Sequence, residues 1–299
     1  MIQTTYEVGT GPYGLAKQVH VRELDGMGEL ISYAQSIQDD PDYRRDCASY
    51  KGDYDFTGTH SLKEAIHIAT YGWERGRDRL EKHMSTIDTA ELIGTSILPR
   101  AVFSEAGEEP DISRYLANEP DNMIDYEWPP RPNGKLIELI VGVSQSAGVS
   151  SESIMRRGAV IAAVVKRLQT NGYSVGLTAA EASVSDLYES QKVEYYVPIM
   201  RPGADLDIDA LVFATAHPSF LRRLLFAVSE QEPQHIRTEM GFYIDGGYGR
   251  PSDLEFVPPA EHKRVIIEHG AAMGHAQNMA QRLLDGVLHV AKTGERVRI

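Results

Sequence analysis

Apolar residues follow two regimes along the chain. From residue 136 onward they form runs and periodic stripes, whereas before residue 129 they are scattered among acidic and turn-forming residues. Residues 136–143, LIELIVGV, are a nearly unbroken apolar run, the pattern of a strand covered on both faces. Residues 151–171 carry Ile154, Ala159, Ile161, Ala162, Val165 and Leu168 available for one buried helix face, and Asn171-Gly172 ends that helix. Residues 174–184 and 192–200 read as two further strands. Residues 205–228 read as mainly helical with a kink or break at Pro218, 239–245 as a short strand before the Gly-rich stretch DGGYGRPSD, 264–267 as a strand and 278–292 as a helix. This alternation predicts an α/β fold with a mostly parallel sheet and helices on both of its faces.

The first part is less regular. Residues 22–40 suggest a short helix, followed by a polar loop. Ser61 with Glu64 three residues later forms a capping-box pattern ahead of Leu62, Ala65, Ile66 and Ala69, which predicts a helix that Gly72 and Gly76 end or interrupt. Residues 89–126 read as irregular, with short strands and one helical turn near 112–117. Pro129, Pro130, Pro132 and Asn133-Gly134 cannot continue a helix or a central strand. They predict a stiff linker and a seam near residue 132, dividing a mixed, mainly helical region (1–132) from an α/β domain (133–299).

Charge sharpens that division. Acidic residues outnumber basic ones 24 to 13 before residue 133 and 19 to 17 after it, so the net charge of −13 belongs mostly to the first part. An acidic surface is a poor match for a phosphate backbone. No stretch approaches the ~20 apolar residues of a membrane span, and the N-terminus lacks a basic start and apolar core, so the expected location is the cytoplasm. The single cysteine, Cys47, excludes an intramolecular disulfide and a thiolate metal cluster.

In a parallel sheet the ligand crevice lies beyond the carboxyl ends of the strands, which directs attention to the loop after Val143. A phosphate loop requires Lys-Ser/Thr, and no lysine lies between Lys135 and Lys166; the nucleophile elbow requires Gly-x-Ser-x-Gly, which Gly142-Val143-Ser144-Gln145-Ser146-Ala147-Gly148 does not match. A strand, then x-x-Ser-x-Ser-x-Gly, then a long helix resembles the opening of the von Willebrand factor type A fold over residues 135–292. That family's metal-ion-dependent adhesion site begins Asp-x-Ser-x-Ser. Ser144 and Ser146 match the serines, while Gly142 stands where the aspartate would be. The resemblance implies a Mg²⁺ site built from Ser144, Ser146 and a carboxylate after a later strand, Glu268 or Asp245, weakened by the missing aspartate because a hard cation needs carboxylate charge. The alternative is that the serines only cap the following helix.

Other candidates are weaker in pattern. His262, His269 and His275 with Glu268 could form a zinc set, but no pair has the His-x-x-x-His spacing. Arg156-Arg157 and Arg222-Arg223 sit on expected helices and, with Arg296 and Arg298, could face a partner or simply solvent. The string from Gly58 to Gly76, of the form GT.S..EA...A..GW..G, resembles proteins encoded by tailed bacteriophages. These features lead to the expectation of a noncatalytic protein-interaction or assembly module, probing its partner through Ser144, Gln145, Ser146, Arg156 and Arg157. It would have no resident cofactor and would act within a multi-subunit complex in the host cytoplasm. Two alternatives stay open, a Mg²⁺-dependent enzyme acting on a phosphate-containing substrate and a single-stranded nucleic-acid binder.

Overall fold

The computed structural model describes residues 1–10, 16–85, 87, 100–127, 136–185, 189–204, 207–259, 263–270 and 276–299. The chain begins with strands β1 (Ile2–Thr10) and β2 (Ala16–Glu23). Helices α1 (Met27–Asp39), α2 (Ala48–Lys51), α3 (Tyr54–Thr57), α4 (Leu62–Tyr71) and α5 (Glu74–Met84) follow. A small unit then comprises β3 (Arg100–Ser104), β4 (Glu109–Pro110), α6 (Ile112–Leu116) and β5 (Met123–Glu127). The second half runs β6 (Leu136–Gly142), α7 (Ser151–Thr170), β7 (Ser174–Val184), β8 (Gln191–Met200), α8 (Ile208–Ala216), a π-helical segment (Phe220–Leu225), α9 (Phe226–Ser229) and α10 (Gln234–Met240). It ends with β9 (Arg250–Pro251), β10 (Lys263–Ile267), α11 (Ala276–Thr293) and β11 (Val297–Arg298).

The main sheet has the order β1-β2-β8-β7-β6-β10-β11, with β9 paired to the end of β7. β2 with β8, β6 with β7, β6 with β10 and β10 with β11 are parallel; β1 with β2, β7 with β8 and β7 with β9 are antiparallel. The result is a mixed sheet curled into a half-barrel. This corrects the expectation of a mostly parallel, von Willebrand factor A-like sheet. The expected strand at 239–245 is also absent: α10 runs to Met240 and Gly241 turns the chain. The proline-rich seam lies outside the described residues. Strands from before it share one sheet with strands from after it, because Gln18–Glu23 pair with Gln191–Tyr196.

The two sheet faces are covered differently. Helices bury one face: Val160, Ile161 and Val164 of α7, Leu211 and Phe213 of α8 and Leu283 and Val287 of α11 join Leu139, Leu177 and Val197 in one core. The other face, with Val19, Val21, Ile140, Ala180, Tyr196 and Ile266, is closed by Leu254, Phe256 and Val257 of an extended strap. Among the described residues, helices therefore lie on one face where two were expected. Glu194, fully buried, anchors the strap by accepting from the backbone N–H groups of Glu255 (2.5 Å) and Phe256 (2.9 Å). An apolar strand run records that both faces are covered, and an irregular strap satisfies it as well as a helix.

Close approach sets two positions. A Cβ at Gly158 of α7 would lie 2.4 Å from Ala216 Cβ of α8, so these helices meet without an intervening side chain. Gly158→Ala is expected to cost about 1–3 kcal/mol by overpacking, read by urea denaturation; an unchanged midpoint would show that the helices separate freely. At Gly142 a Cβ would stand 2.8 Å from the backbone nitrogen of His269. The neighbouring chain leaves no room there for an aspartate, which gives the departure from the adhesion-site pattern a steric reason.

Candidate functional site

β7 is longer than its neighbour β6. β6 ends at Gly142, opposite Ala180, and β7 continues to Val184. The edge of β7 left unpaired beyond that point must be satisfied by other groups. Val143 N–H donates to the Ala180 carbonyl (2.7 Å), Ser144 Oγ donates to the Ala182 carbonyl (3.0 Å) and accepts from Ala182 N–H (2.8 Å), and β9 pairs with Ser183 and Val184. The strands part here, and a cleft of about 430 Å³ opens beyond their carboxyl ends. Ser144, Gln145, Ser146 and Asp245 all line it, together with Glu181 and Ser183 of β7 and an aromatic wall. In that wall Phe226 and Tyr248 stack with centroids 3.9 Å apart, and Phe56 is tilted against Phe226 at 6.5 Å.

Tyr248 and Asp245 have φ of 59° and 66°, uncommon for residues with side chains. Tyr248 is fixed by two interactions, its stack on Phe226 and its hydroxyl, which donates to buried Glu230. Ser49 also donates to Glu230 through its backbone N–H (2.9 Å) and its hydroxyl. Among the described residues Glu181 Oε2 has no hydrogen-bond partner of ordinary geometry. Burial, helped by the charge of Glu194, pushes its carboxyl up to about 8, against the opposing pull of Ser183 and Lys192.

The other sequence-derived candidates are dispersed. The cap of α7 is Ser150, which accepts from Ser153 N–H (3.2 Å), so neither Ser144 nor Ser146 caps that helix. Ser144 is buried and its hydroxyl is spent on β7, whereas Ser146 is exposed. Glu268 is not in the cleft: it accepts from Arg298 (2.7 Å) and from Leu254 N–H (3.2 Å). It does lie near Asp253 and His269, with ligand atoms within 4.8 Å of one another. His262 and His275 fall outside the described residues. Arg156 is exposed but Arg157 is buried, donating to the Glu268 carbonyl (3.1 Å), so the pair presents no common surface. Arg222 and Arg223 are buried as well, as structural donors to loop carbonyls. The Gly58–Gly76 string contributes Gly58, His60, Glu64, Gly72 and Trp73 to a separate cleft of about 590 Å³, with Trp73 set edge-on to buried His217.

A second feature stands apart from the core. β3, β5 and β4 form a three-stranded antiparallel sheet of their own, and no residue from 101 to 126 is buried. On α6, Ile112, Tyr115 and Leu116 are 70%, 64% and 78% exposed and fall on one face by their i, i+3, i+4 spacing. Residues 100–127 hold eight carboxylates against two arginines, a net of −6. Arg114 is one of the two, and its guanidinium lies 3.7 Å from the centroid of the Phe103 ring.

A family model described as a domain of unknown function, DUF7192, matches residues 5–293. The chain belongs to the DUF7192 family. No curated protein and no solved structure matches it. The family match runs across the proline-rich seam and includes both the cleft and the small acidic sheet. In this DUF7192 chain, sequence reasoning reached the cleft through the strand-end rule but missed Glu181. The available signal was a single ionisable residue inside the otherwise small and apolar strand SVGLTAAEASV. No described helix is by itself long and apolar enough to cross a membrane.

Proposed function

We propose that the chain is a noncatalytic interaction or assembly module that docks a partner protein through the unit at residues 100–127. The observation that carries this reading is the exposed stripe of Ile112, Tyr115 and Leu116 on a helix with no buried residue, set in a surface of net charge −6. Large apolar side chains grouped on a surface mark interaction sites, and the i, i+3, i+4 pattern suits a helix laid into an apolar groove. The carboxylates select the occupant: a partner protein whose groove is edged by Lys and Arg gains electrostatic complementarity, while a second copy of the chain would set −6 against −6. The resemblance of the Gly58–Gly76 string to tailed-bacteriophage proteins supports a phage-encoded origin, with the partner in the host cytoplasm or in a phage-encoded complex. The alternatives have less support, because Arg157, Arg222 and Arg223 are buried and Glu268 is paired with Arg298.

The test is site-specific photocrosslinking in the native host from residue 116, with exposed Ile208 as the control position. The expected result is an adduct from 116 but not from 208, to a protein that then binds the purified chain. Leu116→Glu should weaken that binding by about tenfold or more, and added salt should weaken it further. An adduct to a second copy of the chain, identical adducts from both positions, or no adduct from 116 would each overturn the reading.

A further inference from the structure

Glu181 and Ser183 stand two residues apart on β7 and line the same cleft. Glu181 Oε2 and Ser183 Oγ are both buried, and neither has a hydrogen-bond partner of ordinary geometry among the described residues. Buried polar atoms are nearly always satisfied, and an orphan costs about 1–3 kcal/mol. The buried residues Glu230, Glu232, Glu194 and Arg223 follow that rule, each with two or more partners, and of the buried polar atoms left without one among the described residues only Glu181 Oε2 and Ser183 Oγ line the cleft. Two adjacent exceptions in a cleft mark a place where a ligand completes the bonding.

The cleft's chemistry narrows the ligand. With burial pushing it up to about 8, Glu181 keeps its proton at neutral pH, and a neutral carboxyl presents one donor beside one acceptor. The nearby cations are already engaged: Arg222 donates to the carbonyls of Phe56, Ser146 and Val149, and Arg250 pairs with Glu189. A phosphate would therefore meet Asp245 without a free counter-charge. The wall of Phe56, Phe226 and Tyr248 suits a planar ring, and Gln145 adds a second donor and acceptor. A volume of about 430 Å³ is within the usual range of small-molecule sites.

We infer that the cleft binds an uncharged planar heterocycle of the nucleobase type, whose adjacent hydrogen-bond donor and acceptor are read by the Glu181 carboxyl and the Ser183 hydroxyl. This site is independent of the docking unit at 100–127, so either can fail without the other.

The test is titration calorimetry of the full chain with uridine, cytidine, adenosine and guanosine, and with ethylammonium chloride and magnesium chloride as rival probes. At least one nucleoside should bind at millimolar concentration or below, and its affinity should fall about tenfold or more between about pH 7 and about pH 9.5 as Glu181 ionises. Glu181→Gln keeps a donor beside an acceptor, so it should retain binding within about threefold and lose the pH dependence. Ser183→Ala removes a hydroxyl that makes no hydrogen bond of ordinary geometry among the described residues, leaves the fold intact and should weaken binding by about threefold to tenfold. Binding of either cation that Glu181→Gln abolishes would overturn the inference, because it requires an ionised carboxylate. Absence of binding by all four nucleosides would also overturn it, leaving ordered water as the partner of the two orphaned atoms.

Discussion

Glu181→Gln is expected to stabilise the protein at about pH 8.5 by roughly 5 kcal/mol relative to wild type, with little effect near pH 4. In the unfolded chain this carboxyl titrates at its ordinary value of 4.5, whereas in the fold burial pushes it up to about 8. Between those values the folded state holds a proton that the unfolded state has released. Stability therefore falls as pH rises through the interval, by about 1.4 kcal/mol for each of roughly three and a half pH units. Glutamine is a neutral near-isostere and does not titrate, so the variant escapes the loss. Glu230, also raised by burial, adds a loss of the same sign in both proteins. His217 acts oppositely: burial lowers it from 6.5 to about 3, so its contribution is present above pH 6.5 and is lost as pH falls toward 3. The two slopes oppose each other between about pH 4.5 and 6.5, so the decline due to Glu181 is clearest above pH 6.5. Urea denaturation at several pH values checks this. A variant that keeps the wild-type decline from pH 6.5 to 8.5 would show that Glu181 is ionised in the fold.

The same residue illustrates what a sequence pattern conceals. The elements of the second half were legible because their periodicity is strong: β6, α7, β7, β8, β10 and α11 lie within a few residues of where runs and stripes put them. Strand direction was not legible, since β8 reads the same whether it runs parallel or antiparallel to β7. β1 and β2 were missed for a different reason. On β2, Val19 and Val21 alternate with His20 and Arg22, a pattern that reads as half solvated, yet all four are buried. Arg22 is buried because Glu232 meets it with two hydrogen bonds, of 2.8 and 2.9 Å, and lies 210 residues away in the sequence. A partner so distant leaves no local mark. The cleft was legible to the extent that Ser144, Gln145 and Ser146 follow a strand end, a rule of chain geometry. The role of each serine was not, because it depends on β7 overrunning β6 and needing its edge satisfied. The exposed stripe on α6 escaped notice because a five-residue helix shows too little periodicity for its outward face to be distinguished from an inward one.

Arg223→Met is expected to destabilise the fold by about 3–5 kcal/mol. Arg223 is fully buried on the π-helical segment, and its guanidinium donates to the carbonyls of Ser49 (2.7 Å), Tyr50 (3.0 Å), Gly52 (2.7 Å) and Thr59 (2.9 Å) and to the hydroxyls of Thr57 (3.1 Å) and Thr59 (3.0 Å). The segment it gathers contains α2 and α3, each of four residues, far too short to be stable alone. The arginine thus supplies from outside the bonds that a longer helix would supply internally. Methionine fills much of the volume but offers no donor, leaving four carbonyls without their charged partner, the circumstance in which loss of a buried charged group costs most. Lysine carries three donors on a compact head and cannot span carbonyls arranged around a planar fork, so Arg223→Lys should recover only part of the loss. The damage has a functional address, since Ala48 and Phe56 on this segment form one side of the cleft. Amide hydrogen exchange in residues 48–59 should accelerate more than exchange in β7, and nucleoside affinity should drop even where the remaining fold persists. A methionine variant within 1 kcal/mol of wild type, or uniform exchange across the chain, would mean that these short helices hold themselves and that Arg223 only decorates them.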